Sequence, residues 1–141
     1  MTAAGCGFCE VVEGRTDVVV VARTEHTLTF LDRSPVFYGH CLVIPLRHYE
    51  TLGDLPAELL RPLFEEVQRI SGAVETGLGA AGSFVAINNR VSQSVPHLHA
   101  HVVPRNRKDG LRGFFWPRLR YRDEAHMAAV AAQLREALAT G

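Results

Sequence analysis

Histidines alternate with apolar residues in one short segment, and this pattern constrains the fold more than any other feature. The histidines are His97, His99 and His101, and the residues between them are Leu98, Ala100 and Val102. A β-strand turns successive side chains to opposite faces, so the pattern predicts a strand with imidazoles on one face and core residues on the other. Packing alone rarely needs three imidazoles on one face, and the segment therefore indicates a chemical site.

Five strands and two helices are predicted along the chain. The strands lie at residues 18–23, 27–31, 41–44, 83–87 and 98–103. One helix begins at Pro56 and ends at Gly77, with apolar residues at spacings of three and four, and the other covers about 123–139. Short connections between several strands favour an antiparallel sheet with helices packed on it, so we predict an α+β fold.

The ends of the first helix carry their own signals. Asp54 is predicted to cap it, and Gly77 and Gly79 to terminate it. Pro62 lies inside the helical pattern and has no N–H group, so we expect it to distort the first turns.

Length and charge limit the classes of protein that this chain can belong to. Its 141 residues suit one domain over residues 1–141. Fifteen basic and fifteen acidic side chains cancel, which disfavours a nucleic-acid or membrane-surface binder. The chain has three cysteines, and the residues before Cys9 lack the pattern of a signal peptide, so we expect a reducing cytoplasm.

Cys6 and Cys9 form a C-x-x-C pair near the start of the sequence. Two thiolates at this spacing can hold one edge of a tetrahedral zinc, for which histidines are the available further ligands. Buried free thiols are the other interpretation. Redox chemistry is disfavoured, because a redox pair normally lies at a helix N-terminus beside a strand and this one precedes the first strand.

Two kinds of chemistry fit the alternating histidines. They can share a metal ion, or they can act by nucleophilic and acid–base catalysis. Residues 78–108 contain no Asp or Glu, so a zinc hydrolase with three histidine ligands would lack its carboxylate. The spacing by itself leaves both hypotheses open.

The segment from His97 to Val103 resembles the His-φ-His-φ-His-φ-φ motif of the histidine triad (HIT) family, where φ is an apolar residue. Further matches follow the family's order and reach nearly to Arg105. They are Cys6-x-Phe8-Cys9-Glu10, residues 30–35 (FLDRSP), residues 39–45 (GHCLVIP), His48 and residues 52–55 (LGDL). The resemblance implies a five-stranded, mainly antiparallel sheet with two helices, paired into a homodimer with a continuous sheet.

The resemblance also implies a mechanism. His99 corresponds to the nucleophile that attacks the α-phosphorus of a nucleotide and forms a nucleotidyl-imidazole intermediate. The backbone carbonyl of His97 would accept the proton of the other ring nitrogen, and His101 would donate to a phosphate oxygen. Gln93 and Ser94 correspond to positions that bind the phosphate or the leaving group.

Two more positions are assigned by resemblance to the nucleotide site. Asp32 matches the acid that binds the ribose hydroxyls, although it could also be a turn residue. Asn88 matches a phosphate-loop residue, but the loop after it is shorter than in the family and Ser92 replaces a glycine. Arg90 could take a role there instead.

Family members with an N-terminal C-x-x-C hold a structural zinc. The matching ligands in this chain are Cys6, Cys9, His48 and His97. His97 would then serve twice, with its imidazole on zinc and its carbonyl orienting His99. Such a zinc has four protein ligands and no open coordination position, so its role is structural. The implied mechanism requires no catalytic metal.

Three functions are therefore carried forward. The first is an enzyme that binds a purine nucleotide or its conjugate and cleaves a nucleoside phosphoramidate or a dinucleoside polyphosphate. The residues Val103-Pro104-Arg105 favour the polyphosphate branch. The others are a nucleotide-binding regulatory protein with little catalysis and a metal-dependent hydrolase.

Residues 105–122 are rich in Arg and aromatic residues. They could form a basic wall for the ligand or a loop with Phe114, Phe115 and Trp116 packed inward.

Overall fold

The computed structural model describes residues 3–111 and 118–140. They fall into two compact units, Met1–Asp109 and Gly110–Gly141, which are treated separately. The aromatic residues 114–116, for which inward packing was one of two interpretations, lie outside the described residues. No helix within the described ranges is long and apolar enough to cross a membrane.

The first unit contains one five-stranded sheet in which every pairing is antiparallel. Its strands are β1 (Val20–Arg23), β2 (Thr27–Leu31), β3 (Cys41–Pro45), β4 (Gly82–Ile87) and β5 (Ala100–Arg105), and their order across the sheet is β1-β2-β3-β5-β4. The α+β fold predicted from the sequence is confirmed. The last predicted strand begins two residues later than expected, so His97 and His99 precede β5 and only His101 lies within it.

The sheet buries one apolar cluster on each face. Helix α2 (Ala57–Leu78) covers the first face with Leu63, Val67, Ile70 and Val74. Leu98, Ala100 and Val102 belong to this same cluster, as the alternation predicted. The second cluster consists of Val11, Leu28, Phe30, Leu42 and Ile44, with Phe8 and Val18 packed against it.

Helix α2 corrects one expectation about its N-terminal end. Its N-cap is Pro56 and not Asp54, because the Asp54 carboxylate instead accepts hydrogen bonds from the backbone and hydroxyl of Thr51 in a short 3₁₀ turn, Leu52–Asp54. The helix also runs without interruption through Pro62. Gly79 ends it with a φ of 69°, a left-handed conformation that glycine adopts without steric cost.

A short helix that the sequence did not predict holds the cysteine pair. Helix α1 (Gly7–Val12) has Cys6 as its N-cap and contains Cys9, and both side chains are buried. The cysteine pair therefore lies at a helix N-terminus, contrary to the reason given for disfavouring redox chemistry. The second unit contributes helix α3 (Glu124–Thr140), where the Asp123 carboxylate accepts a hydrogen bond from the backbone of His126.

Candidate active site and metal centre

A cleft of about 340 Å³ opens beside the histidine segment, a volume in the range of small-molecule sites. One part of its lining is apolar and consists of Gly7, Phe8, Val11, Val18, Phe30, Leu31, Leu42 and Val95. The polar part consists of Thr16, Asp32, Arg33, Ser94, His99 and His101. The arrangement suits a ligand with one flat apolar end and one polar end.

The hydrogen bond of His99 determines which of its nitrogens is free. His99 is 2% exposed, and its Nδ1 lies 2.7 Å from the backbone oxygen of His97. A carbonyl oxygen can only accept, so Nδ1 carries the proton and donates it. In the neutral ring Nε2 therefore keeps its lone pair, which is the form that a nucleophile needs.

A chain of hydrogen bonds fixes the opposite tautomer on His101. The backbone N–H of Val36 donates to Nδ1 of His40 at 3.1 Å, so Nε2 of the neutral His40 ring carries its proton. That Nε2 donates to Nδ1 of His101 at 2.9 Å. His101 therefore keeps its own N–H on Nε2 and can donate it to a ligand.

Burial keeps both of these rings neutral. Desolvation is the main cause that lowers the pKa of His101, to about 4, and it also lowers the pKa of His40. Asp32 opposes both shifts from nearby, with its carboxylate 3.7 Å from Nε2 of His40. Sequence reasoning did not select His40, whose only signal was its place in the matched Gly39-His40 segment.

Asp32, His40 and His101 are close enough together to resemble a metal site. The tautomers argue against one, because the proton on Nε2 of His40 occupies the position that a cation would need. We interpret this group as a hydrogen-bonded array that supports the cleft.

A second cluster brings together the four residues predicted to bind zinc. The Sγ atoms of Cys6 and Cys9 lie 3.5 Å and 3.6 Å from Nδ1 of His97. Nδ1 of His48 lies 3.5 Å from the Cys9 sulfur and 3.3 Å from Nδ1 of His97. These ligand atoms all lie within 4.8 Å of one another.

These separations fit a tetrahedral zinc ion. Zinc bonds of about 2.3 Å to sulfur and about 2.0 Å to nitrogen give S···N edges of about 3.5 Å and an N···N edge of about 3.3 Å. The other nitrogen of His97 donates to the backbone oxygen of Pro45 at 3.0 Å, which leaves Nδ1 free to bind a metal. Burial is the main cause that lowers the pKa of His97 to about 4, so the ring is neutral near pH 7.

The other residues selected from the sequence lie in different places. Ser94 and Asp32 line the cleft, together with His99 and His101. The Gln93 amide instead closes the loop before the histidines, since it donates to the backbone oxygen of Glu50 at 2.6 Å and accepts from the backbone of Arg90 at 2.8 Å. Among the described residues, Asn88 is not part of the cleft lining.

The loop that Gln93 closes has an unusual backbone. Arg90 and Ser92 adopt φ values of 70° and 59°, although neither is glycine. Left-handed conformations of this kind are costly for most residues and tend to occur near functional sites. The Arg90 side chain is 3.5 Å from the Glu50 carboxylate and does not line the cleft.

Comparison with known proteins relates the chain to one family. Residues 13–108 match the family model described as the HIT domain. The chain is 36% identical to Protein hit of Bacillus subtilis over 116 residues, which are 81% of this chain and 80% of that protein. It is 33% identical over 114 residues to a Schizosaccharomyces pombe protein named adenosine 5'-monophosphoramidase, covering 79% of this chain and 83% of the relative.

A second S. pombe relative is named bis(5'-nucleosyl)-tetraphosphatase (asymmetrical). It is 36% identical over 92 residues, which are 64% of this chain and 50% of that protein. Among solved structures, a HIT family protein from Bacillus anthracis has a TM-score of 0.84 and 29% identity, covering 96% of this chain and 99% of the other. A Zn-bound histidine triad family protein from Mycobacterium smegmatis has a TM-score of 0.73 and 37% identity, covering 94% and 97%.

Proposed function

The chain belongs to the histidine triad family, and from this premise we propose that it is a nucleotide hydrolase or transferase that uses His99 as its nucleophile. The observation that carries the proposal is the 2.7 Å hydrogen bond from Nδ1 of His99 to the backbone oxygen of His97. In the neutral form of the ring, this bond leaves Nε2 unprotonated, and the ring lines the cleft. The relatives named as a phosphoramidase and a tetraphosphatase support the class of reaction.

The reaction proceeds in two displacements at the α-phosphorus. Nε2 of His99 forms a bond to phosphorus, and the bond to the leaving group breaks with its electron pair on that group, which departs as an amine protonated from solvent or as a nucleoside polyphosphate. Water then attacks the phosphorus of the nucleotidyl-histidine and loses a proton to solvent. The phosphorus–nitrogen bond breaks, its electron pair returns to Nε2, and a nucleoside monophosphate is released.

The polar lining stabilises the phosphate during both steps. His101 donates its Nε2 proton to a phosphate oxygen, where negative charge increases in the transition state. Ser94 supplies a hydroxyl donor from the same side of the cleft. Because His101 stays neutral well below pH 7, it donates a hydrogen bond without turning into a general acid at ordinary pH.

The remaining lining suits the nucleoside. Asp32 accepts hydrogen bonds from the ribose hydroxyls, and the apolar wall that contains Phe8 and Phe30 packs against a purine base. Gln93 and Asn88 stay candidates for phosphate binding, but Gln93 must first release its hydrogen bonds to Glu50 and Arg90. The choice between phosphoramidate and polyphosphate substrates is open to direct assay.

We propose that zinc occupies the site formed by Cys6, Cys9, His48 and His97. Four protein ligands leave no open position, so the metal would serve structure and polarise no substrate. The Zn-bound relative supports this assignment. Chelation separates it from metal catalysis, because loss of activity should follow the loss of thermal stability and should not precede it.

The main experiment incubates the protein with a dinucleoside tetraphosphate and, separately, with an adenosine phosphoramidate. We expect release of AMP from at least one of them, and a mass increase of one nucleotidyl group on His99 in rapidly quenched samples. His99→Asn should reduce turnover at least about a thousandfold and keep the fold. His26→Asn, which alters an exposed histidine in the β1–β2 turn, is the matched control.

Two results would change the assignment. If AMP were released from neither substrate, the proposed enzymatic function would be wrong. If AMP nevertheless raised the melting temperature, the protein would be the nucleotide-binding regulator instead.

We also keep the predicted homodimer and the cytoplasmic location as proposals. In the described sheet β4 is a terminal strand, and Val85 on it is 42% exposed, which suits pairing with a second copy. Light scattering after size-exclusion chromatography should give twice the chain mass of 15.5 kDa. A mass of one chain would contradict the homodimer.

A further inference from the structure

Helix α1 belongs to both sites described above. Cys6 at its N-cap and Cys9 in its first turn supply two of the four ligand atoms of the metal cluster. Gly7, Phe8 and Val11, which lie between and after them, line the nucleotide cleft. Any movement of this helix therefore changes both sites at once.

Phe8 connects the helix to the nucleophile. Its ring lies edge-on to the ring of His99, with centroids 5.1 Å apart and planes at 88°. It makes a similar contact with His97 at 5.9 Å and with Phe30 at 5.5 Å. Phe8 thus limits the orientations open to His99 and forms part of the wall on which a base would pack.

The helix is too short to hold this position by itself. It has six residues, and isolated helices of that length are unstable in water because nucleation costs more than so few hydrogen bonds return. Near its N-terminal end, two backbone N–H groups donate hydrogen bonds to the sulfur atoms of the metal cluster. The backbone N–H of Cys9 donates to the sulfur of Cys6 at 3.4 Å, and that of Ala3 donates to the sulfur of Cys9 at 3.3 Å.

We infer that zinc in the Cys6–Cys9–His48–His97 site and nucleotide in the cleft bind with positive cooperativity, and that Phe8 is the positioning residue that couples them. The inference rests on the proposed function, since it requires a nucleotide in the cleft. A metal on both sulfurs immobilises helix α1, which holds Phe8 against His99 and completes the cleft wall. A nucleotide packed on Phe8 stabilises the same helix and so retains the metal.

Thermodynamic linkage makes the inference quantitative. If zinc raises the affinity for nucleotide by some factor, nucleotide must raise the affinity for zinc by the same factor. Couplings of this kind are typically about 5- to 150-fold, and we expect about tenfold. If the metal only stabilised the fold, zinc would not change the affinity for nucleotide, and nucleotide would not change the affinity for zinc, in a protein that stays folded.

The first experiment measures AMP affinity by calorimetry for the zinc-loaded and the chelator-stripped protein, under reducing conditions. Circular dichroism confirms that both are folded. We expect AMP to bind about tenfold more tightly to the loaded form, and zinc, measured against a chromophoric chelator, to bind more tightly by the same factor when AMP is present. Equal AMP affinity in both folded forms would overturn the inference.

The second experiment uses two variants of the cleft wall. Phe8→Ala should weaken AMP binding and reduce to about one the coupling factor, which is the ratio of AMP affinities with and without zinc. Val18→Ala is the matched control, since Val18 lines the same cleft from outside helix α1. It should weaken AMP binding but keep the full coupling factor.

If removal of zinc unfolds the protein, the two AMP affinities cannot be compared, and a rate is measured instead. Zinc release from the loaded protein to excess chelator is followed with and without saturating AMP. The inference predicts that AMP slows release in the wild type and in Val18→Ala but not in Phe8→Ala. Slowing in all three would indicate linkage through global unfolding and would overturn it. Failure of AMP to bind even the loaded wild type would overturn the proposed function instead.

Discussion

His99 and His101 stand two residues apart, yet their hydrogen bonds give them opposite tautomers. Nδ1 of His99 donates to a carbonyl, whereas Nδ1 of His101 accepts from His40. In the neutral rings, Nε2 is therefore unprotonated on His99 and protonated on His101. One nitrogen can attack phosphorus while the other binds its oxygens, which is the division of labour that the proposed reaction needs.

The depressed pKa of His101 predicts how stability depends on pH. Between about pH 6.5 and pH 4 the unfolded chain binds a proton that the native ring does not, so the free energy of unfolding decreases as the pH falls through this range. His101→Gln removes this difference. Urea unfolding at pH 7 and pH 5 should show a smaller loss of stability for His101→Gln than for the wild type.

The exposed His26 provides the comparison for that experiment. His26→Gln, in the β1–β2 turn, should lose as much stability between pH 7 and pH 5 as the wild type does. If His101→Gln lost as much as the wild type, the ring would not be held neutral by burial.

Sequence reasoning at this scale selected the histidine segment and the zinc ligands but not His40. Alternation along a strand is a local property, so it could be read from residues 97–103. The pairing of His40 with His101 joins residues 61 positions apart and depends on β3 lying beside β5. For His48, likewise, only the family resemblance provided a signal.

At the scale of elements, helix α2 was predictable and helix α1 was not. Helix α2 has 22 residues, long enough for an apolar stripe to show its period. Helix α1 has six residues, and tertiary contacts through its cysteines and Phe8 hold it in place. Asp54 has the residue type of an N-cap, but its hydrogen bonds to Thr51 use its carboxylate in the preceding turn.

Gly39 precedes His40 in the loop after β2, and its backbone conformation strains any side chain at this position. Its φ is 99°, and an added Cβ would overlap Cδ1 of Leu78 and lie 3.2 Å from Cγ of Pro104. Gly39→Ala should therefore shift the backbone before His40 and lower stability by about 1–3 kcal/mol. Because His40 orients His101, kcat on a nucleotide substrate should fall as well.

Two further variants test this explanation. Gly77→Ala introduces the same methyl group inside α2, where an added Cβ meets nothing within 4 Å, and should be neutral or stabilising. Leu78→Ala, combined with Gly39→Ala, should restore part of the lost stability by removing the overlapping atom. A Gly39→Ala protein as stable and active as the wild type would show that the loop adapts without moving His40.

At the scale of the whole molecule, the order of strands was beyond local prediction. The sequence predicted where strands lie, but their arrangement as β1-β2-β3-β5-β4 depends on which apolar faces meet across the sheet. The family resemblance implied five strands in a mainly antiparallel sheet, which the structure confirms, but it gave no strand order. The sequence also predicted a single domain over residues 1–141. This prediction concerns which residues fold together and not how the strands are ordered.

Truncation after Asp109 tests that expectation. All five strands, helix α2, the cleft and the metal cluster lie in Met1–Asp109, and the family match ends at residue 108. Since the sheet buries apolar clusters on both faces from these residues alone, a chain of residues 1–109 should unfold in one cooperative transition and bind AMP within about threefold of the full chain. Thermal unfolding and calorimetry measure the two properties. If the shortened chain failed to fold, residues 110–141 would be an essential part of one domain; if it folded but lost AMP binding, they would contribute to the cleft.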